Sequence, residues 1–143
     1  MKVRPFPLFV LFFALLFSCA AEKDENVALK EQVIAVHDEV MPEIGTLKSR
    51  QKKLEEKADA LAQEANGVDT GEQVQELRAA ARSCEAAYDG MFVWMRQFES
   101  EYDGMTEEEI RSYLQDQMKK VEQVKKDIRS ALTRSDSLLN GGL

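Results

Sequence analysis

Val74–Tyr102 reads VQELRAAARSCEAAYDGMFVWMRQFESEY, and its apolar positions decide the fold. Val74, Leu77, Ala81, Cys84, Tyr88, Met91, Met95, Phe98 and Tyr102 recur at alternating intervals of three and four. That spacing lays one stripe along one side of an α-helix, and its persistence over successive heptads predicts coiled-coil-like packing. Thr70-Gly71-Glu72-Gln73 precedes the stripe with the spacing of a capping box, in which a hydroxyl and an amide serve each other's orphan backbone donors. Asp103-Gly104 closes it with turn chemistry.

The same period extends in both directions. Upstream, Leu29, Val33, Val36, Val40, Ile44, Leu47, Leu54, Ala58, Leu61 and Ala65 form a stripe that ends at Asn66-Gly67, residues suited to a helix C-terminus. Pro42 lies inside it. A proline removes one backbone donor and clashes with the preceding turn, so a kink is expected there. Downstream, Thr106-Glu107-Glu108-Glu109 is a second capping box with acidic residues at the positive helix end. Ile110, Leu114, Gln117, Val121, Val124, Ile128, Ala131, Ser135 and Leu138 follow, and Asn140-Gly141-Gly142 terminates the pattern. No segment alternates with period two. The prediction is all-α: an elongated antiparallel three-helix bundle with helices over about 27–66, 71–102 and 106–139, the first kinked near Pro42.

The first eighteen residues differ in character. Lys2 and Arg4 precede Pro5–Phe17 (PFPLFVLFFALLF), an unbroken apolar run of thirteen residues. A spanning helix needs about 20. A basic start, a short apolar run and a small residue before a cut describe a signal peptide over 1–18. Leu16-Phe17-Ser18-Cys19 resembles the lipobox of bacterial lipoproteins, with an aliphatic residue three before the cysteine and a small one just before it. The resemblance implies cleavage before Cys19 and lipidation of its thiol. Residues 19–28 then read as a lipidated cysteine and flexible tether, and 29–143 as the bundle. Lys23-Asp24-Glu25 is similar to the surface-export signal of Bacteroidota lipoproteins, and Ala20 replaces the aspartate that retains some lipoproteins at the inner membrane. Both imply a cell-envelope protein, at the outer rather than the inner membrane, with the face left open.

Loss of residues 1–18 leaves 17 Lys and Arg against 26 Asp and Glu. Such an acidic surface repels nucleic acid and anionic headgroups, so attachment must come from lipid and not from a basic patch. Commitment of Cys19 to lipid leaves Cys84 without an intrachain disulfide partner.

Chemistry-bearing patterns are few. A single histidine, no glycine-rich phosphate loop, no Cys-x-x-Cys and no His-Glu-x-x-His argue against an enzyme. His37 and Met41 lie one turn apart, as do Met91 and Met95, with Trp94 and Phe98 beside them. Folding the chain at its turns brings Met118 to the same end. Thioether and imidazole suit Cu(I), so His37, Met41, Met91 and Met95 are the candidate copper ligands, with Asp38 and Glu39 placed to orient the ring. Core packing by methionine against aromatic rings explains the same residues more simply. Trp94, Phe98 and Met118 are a possible binding patch for a protein partner or a second copy.

His37-Asp38-Glu39-Val40-Met41-Pro42 and Met91-Phe92-Val93-Trp94-Met95, behind a lipobox, resemble small uncharacterised lipoproteins of Bacteroidota often labelled "viral A-type inclusion protein". The resemblance implies a coiled-coil-like helical body and lipid on Cys19, and supplies no catalytic residue, substrate or cofactor. The expected role is a non-enzymatic envelope lipoprotein, structural or protein-binding. The alternative is a periplasmic copper chaperone or sensor.

Overall fold

The computed structural model describes residues 9–64 and 70–141, with side chains from residue 22 onward. Four helices form three antiparallel rods. Helix α1 (Phe9–Val40) and helix α2 (Ile44–Glu64) are joined by a 3-10 turn at Met41–Glu43 and together make the first rod. Helix α3 (Gly71–Gln97) returns beside α2, and helix α4 (Glu107–Asn140) runs back along the whole assembly, touching α1, α2 and α3. No strand occurs among the described residues. The architecture is the predicted all-α three-helix bundle.

The core is one seam per rod. Val33, Val40, Leu47, Leu54 and Ala58 from the first rod meet Leu77, Cys84 and Met91 from α3 and Leu114, Val121 and Ile128 from α4, all inaccessible to solvent. The periodic stripe therefore continues across Pro42. The break is local because proline's missing donor falls at the start of the 3-10 turn, where an orphan amide is tolerated. Parallel alignment of the first rod with α4 is tied by Glu25–Arg111 at 3.3 Å, Glu39–Lys125 at 3.0 Å and Arg50–Asp136 at 2.7 Å.

Three details differ from the sequence reading. Residues 19–28, expected as a flexible tether, belong to α1. Neither glycine nor proline occurs between Leu8 and Met41, so nothing interrupts the helix. Its docking begins inside the expected tether: Asn26 is 5% exposed and its Nδ2 donates to the Glu107 carbonyl and carboxylate at 2.9 and 2.8 Å.

Helix α3 stops at Gln97 and not at Tyr102. Phe98 turns extended (φ −77°, ψ 118°). The next amide, Glu99 N–H, donates to the Tyr113 hydroxyl at 2.7 Å, a tertiary bond that replaces continuation of the helix. Asp103-Gly104 forms the expected turn, with Met105 N–H donating to the Tyr102 carbonyl at 3.1 Å and Gly104 at φ 82°. That angle suits glycine at the third position of a type II turn.

The two capping boxes diverge as well. Thr106 accepts from Glu109 N–H at 3.3 Å, and Glu109 accepts from Thr106 N–H at 2.8 Å, completing the reciprocal cap. Thr70 takes φ −100°, ψ 6° and makes no side-chain cap bond, because its backbone is not in the extended conformation that aims the hydroxyl at the helix. The Asn66-Gly67 terminus lies outside the described residues.

Candidate functional site

The residues singled out in the sequence converge on the level of the Pro42 interruption, and they do so as a layered aromatic packing. Trp94 is 5% exposed and faces inward from α3. Its ring lies 5.7 Å from the His37 ring, centroid to centroid, and 5.1 Å from Phe98. Phe98 contacts Tyr113 at 6.3 Å, and Tyr113 contacts Tyr102 at 5.8 Å. Lys30 Nζ sits 5.4 Å from the Tyr102 ring centre, a cation–π distance, and also donates to the Ser100 carbonyl at 2.8 Å. A ladder of rings thus runs from the α3–α4 turn toward Pro42.

The methionines are not distributed as a strict heptad predicts. Met91 is completely buried, Met41 and Met118 are half-buried against the core, and Met95 is 39% exposed. A straight α-helix drifts about 20° per heptad against a 3.5-residue repeat. Beyond Cys84 the core face of α3 has moved to Ala87, Met91 and Trp94, leaving Tyr88 and Met95 at the margin. Tyr88 is held there by Phe92, 4.8 Å away, and by Lys48 Nζ, 4.4 Å above its ring. Of the four candidate copper ligands, Met91 is sealed in the core while Met95 faces solvent. Among the described residues no group of three or more His, Cys, Asp and Glu side chains is arranged to hold a metal ion. The expected binding patch of Trp94, Phe98 and Met118 is occupied by packing within the chain, since all three join the core cluster.

His37 is held by its neighbour. Its Nδ1 lies 2.8 Å from Asp38 Oδ1. Nε2 is buried and has no hydrogen-bond partner, and the same is true of Trp94 Nε1 and Gln117 Oε1. Gln117 is 3% exposed and is a polar member of the α4 core stripe.

Cys84 Sγ packs 3.9 Å from the Ala131 carbonyl, and burial pushes its thiol above the ordinary range, against a smaller opposing pull from Ser135. It is a free cysteine in the core, with the character of a small hydrophobe. Cys19 falls on α1, six residues before the Glu25–Arg111 pair.

Two features were outside the reach of sequence reasoning. Asn26 locks α1 to the start of α4. Glu39 accepts from Lys125 at 3.0 Å and Arg129 at 2.6 Å, and these bonds hold its carboxyl below the usual range, Lys125 first. Both join residues more than eighty positions apart, and only the parallel register of α1 and α4 reveals them. Comparison with protein-family models, curated proteins and solved structures returned no match.

Proposed function

We propose that the protein is an exported lipoprotein of the bacterial cell envelope, cut before Cys19 and held to a membrane by lipid on that residue. Its bundle is a non-catalytic structural or protein-interaction body. The observation that carries this reading is Leu16-Phe17-Ser18-Cys19 at the end of a thirteen-residue apolar run with a basic start. No described helix is long and apolar enough to cross a membrane, which leaves acyl chains as the means of attachment in this reading. More than one chain is needed, because a single acyl group binds only marginally.

Geometry adds a consequence. Six residues separate Cys19 from Glu25, where α1 already pairs with α4. That interval is about 9 Å in helical form. The bundle therefore stands directly on its anchor, with the α3–α4 turn nearest the lipid and the Glu64 end of α2 farthest away. Among the described residues the large exposed apolar side chains are Val27, Val93 and Met95, and the last two, two positions apart on one helix, diverge by about 200°. A partner is accordingly recognised through polar and charged contacts more than through an apolar patch.

The test is mass spectrometry of the protein extracted from membranes of the producing cell. The expected N-terminus is Cys19 bearing diacylglyceryl and a further acyl chain such as palmitate. Cys19→Ser should release the protein to the soluble fraction or leave it uncut. A mature N-terminus elsewhere, or an unmodified Cys19 thiol, overturns the reading.

A further inference from the structure

We propose that the open groove between α3 and α4 is the docking surface for a second copy of this chain, related by a two-fold axis parallel to the rods, so that α3 and α4 of both copies stand as four helices side by side. The proposal deepens the protein-interaction reading above and rests on it.

Two cavities follow one another along the groove. The first, about 740 Å³, is lined by Glu72, Glu76, Arg78 and Arg82 of α3 and by Arg134 of α4. Arg78 pairs with Asp59 of α2 at 3.2 Å. The other four, two acids and two bases, make no side-chain hydrogen bond or ion pair within the chain. The second cavity, about 310 Å³, shares Arg134 and is floored by small side chains, Ser83, Ala86 and Ala87 of α3 with Ser130 and Ala131 of α4. Asp127 at its edge accepts from Gln123 of its own helix at 2.8 Å. Small residues at a contact let another helix approach closely. The α2–α3 groove differs, since Lys48 over Tyr88 and Arg78 against Asp59 bridge it.

The charges select the occupant. Equal numbers of unpaired acids and bases favour neither a purely acidic nor a purely basic partner. They are complementary to themselves, as an isologous two-fold contact requires. Glu76 and Arg134 line one cavity from opposite helices and so share a level. An axis along the rods keeps that level and sets α3 of one copy against α4 of the other. Each Glu76 then meets the other copy's Arg134, and the contact contains the pair twice. An axis across the rods at this level would set Arg134 against Arg134. The acidic tips do not oppose the arrangement: bundles side by side hold them about two helix diameters apart, on the order of 20 Å, beyond the Debye length of about 10 Å at 0.1 M salt. Both anchors face the same bilayer.

The experiment is sedimentation equilibrium of the full mature protein, extracted from membranes in neutral detergent. The parent should be a dimer that loosens as salt is raised. Glu76→Arg and Arg134→Glu should each weaken it by about tenfold or more, because symmetry applies each change twice and sets like charges in contact. The variant carrying both changes should recover the parent's affinity. Both residues are exposed and unpaired within one chain, so helical content by circular dichroism should stay the same. Ala86→Trp, also at an exposed position, should fill the second cavity and leave a monomer. A nitroxide on Met105→Cys should report about 20–30 Å between copies, whereas an axis across the rods would put these turns about 80 Å apart. A protein that stays monomeric at every concentration overturns the proposal. So does a dimer indifferent to both charge reversals and to Ala86→Trp, or a nitroxide distance of the longer kind. Mass spectrometry of the same sample keeps the two readings apart: a monomer with acylated Cys19 refutes only the dimer, and a dimer with an unmodified Cys19 thiol refutes only the anchor.

Discussion

Cys84 shows how burial decides the chemistry of a single residue. Its side chain is inaccessible and its thiol is pushed up by loss of hydration, so the nucleophilic thiolate is scarce in the folded protein. A thiol reagent such as dithionitrobenzoate should leave Cys84 unmodified in native buffer and label it at once in denaturant; rapid native labelling would show that the α3–α4 seam opens. The folded thiol titrates above the unfolded one. Its contribution to stability is therefore complete below the ordinary thiol range and lost as pH rises through it. Glu39 has the opposite sign. Lys125 and Arg129 hold its carboxyl low, so its contribution is present above the ordinary carboxylate range and fades as pH falls through it. Glu39→Gln should lower the melting temperature slightly at neutral pH, and the difference from the parent should shrink in acid and in high salt; an unchanged difference in 1 M salt would argue that packing, not charge, is responsible. The sequence marked Cys84 as a core position because its own helix carries the period. It could not mark Glu39, whose partners are set by register between segments far apart in the chain.

At the scale of elements, the two threonines ahead of α3 and α4 look alike in sequence and differ in function. Thr106 is extended and completes a reciprocal cap with Glu109, while Thr70 makes no cap bond. Thr106→Ala should cost about 1 kcal/mol of folding stability and Thr70→Ala a few tenths at most. Urea unfolding of both variants checks this, and equal losses would show that cap geometry is not the cause. The comparison also locates what was legible. Helix type, number and order followed from the three-and-four spacing, and the break at Met41–Glu43 followed from Pro42. The details that escaped were those where tertiary contacts override local pattern. Tyr113 takes the Glu99 amide and ends α3 early, Asn26 docks the expected tether, and helical drift exchanges Met95 for Trp94 in the core. Of the candidate site, the meeting of His37, Trp94 and Phe98 was readable from folding the hairpins. The separation of Met91 from Met95 was not, because a heptad count keeps them on one stripe. The seam itself is thin, so each large member matters. Leu54→Ala should cost about 2–5 kcal/mol, since a bundle with one layer per rod closes poorly around a cavity; a loss under 1 kcal/mol in the same urea assay would show that the rods collapse to fill it.

For the whole molecule, charge is distributed unevenly along the long axis. The tip made by residues 22–31 and 99–111 carries ten carboxylates and three cations, whereas Lys and Arg are concentrated above the His37–Trp94 level. If the anchor is at Cys19, this acidic tip is the part of the body closest to the bilayer. Acyl chains draw it in, and anionic headgroups push it away over about a Debye length, near 10 Å at 0.1 M salt. The two forces act on different coordinates: the lipid fixes attachment, and the field sets the standing height and tilt of the rods. Binding of the lipidated protein should therefore be the same on zwitterionic and anionic vesicles, while the height of the tip differs. A dye on Met105→Cys, in the α3–α4 turn, reports that height through quenching by headgroup-labelled lipid. Quenching should be weaker on anionic vesicles at low salt and should recover as salt is raised. Changing Glu101 and Glu108 to lysine, with Glu107 kept for its bond to Asn26 and Glu109 for the cap, takes the tip's net charge from −7 to −3 and should shrink the difference between the two vesicles. Quenching that ignores both lipid charge and salt would mean that the short helical segment after Cys19, and not electrostatics, dictates how the bundle stands on the membrane.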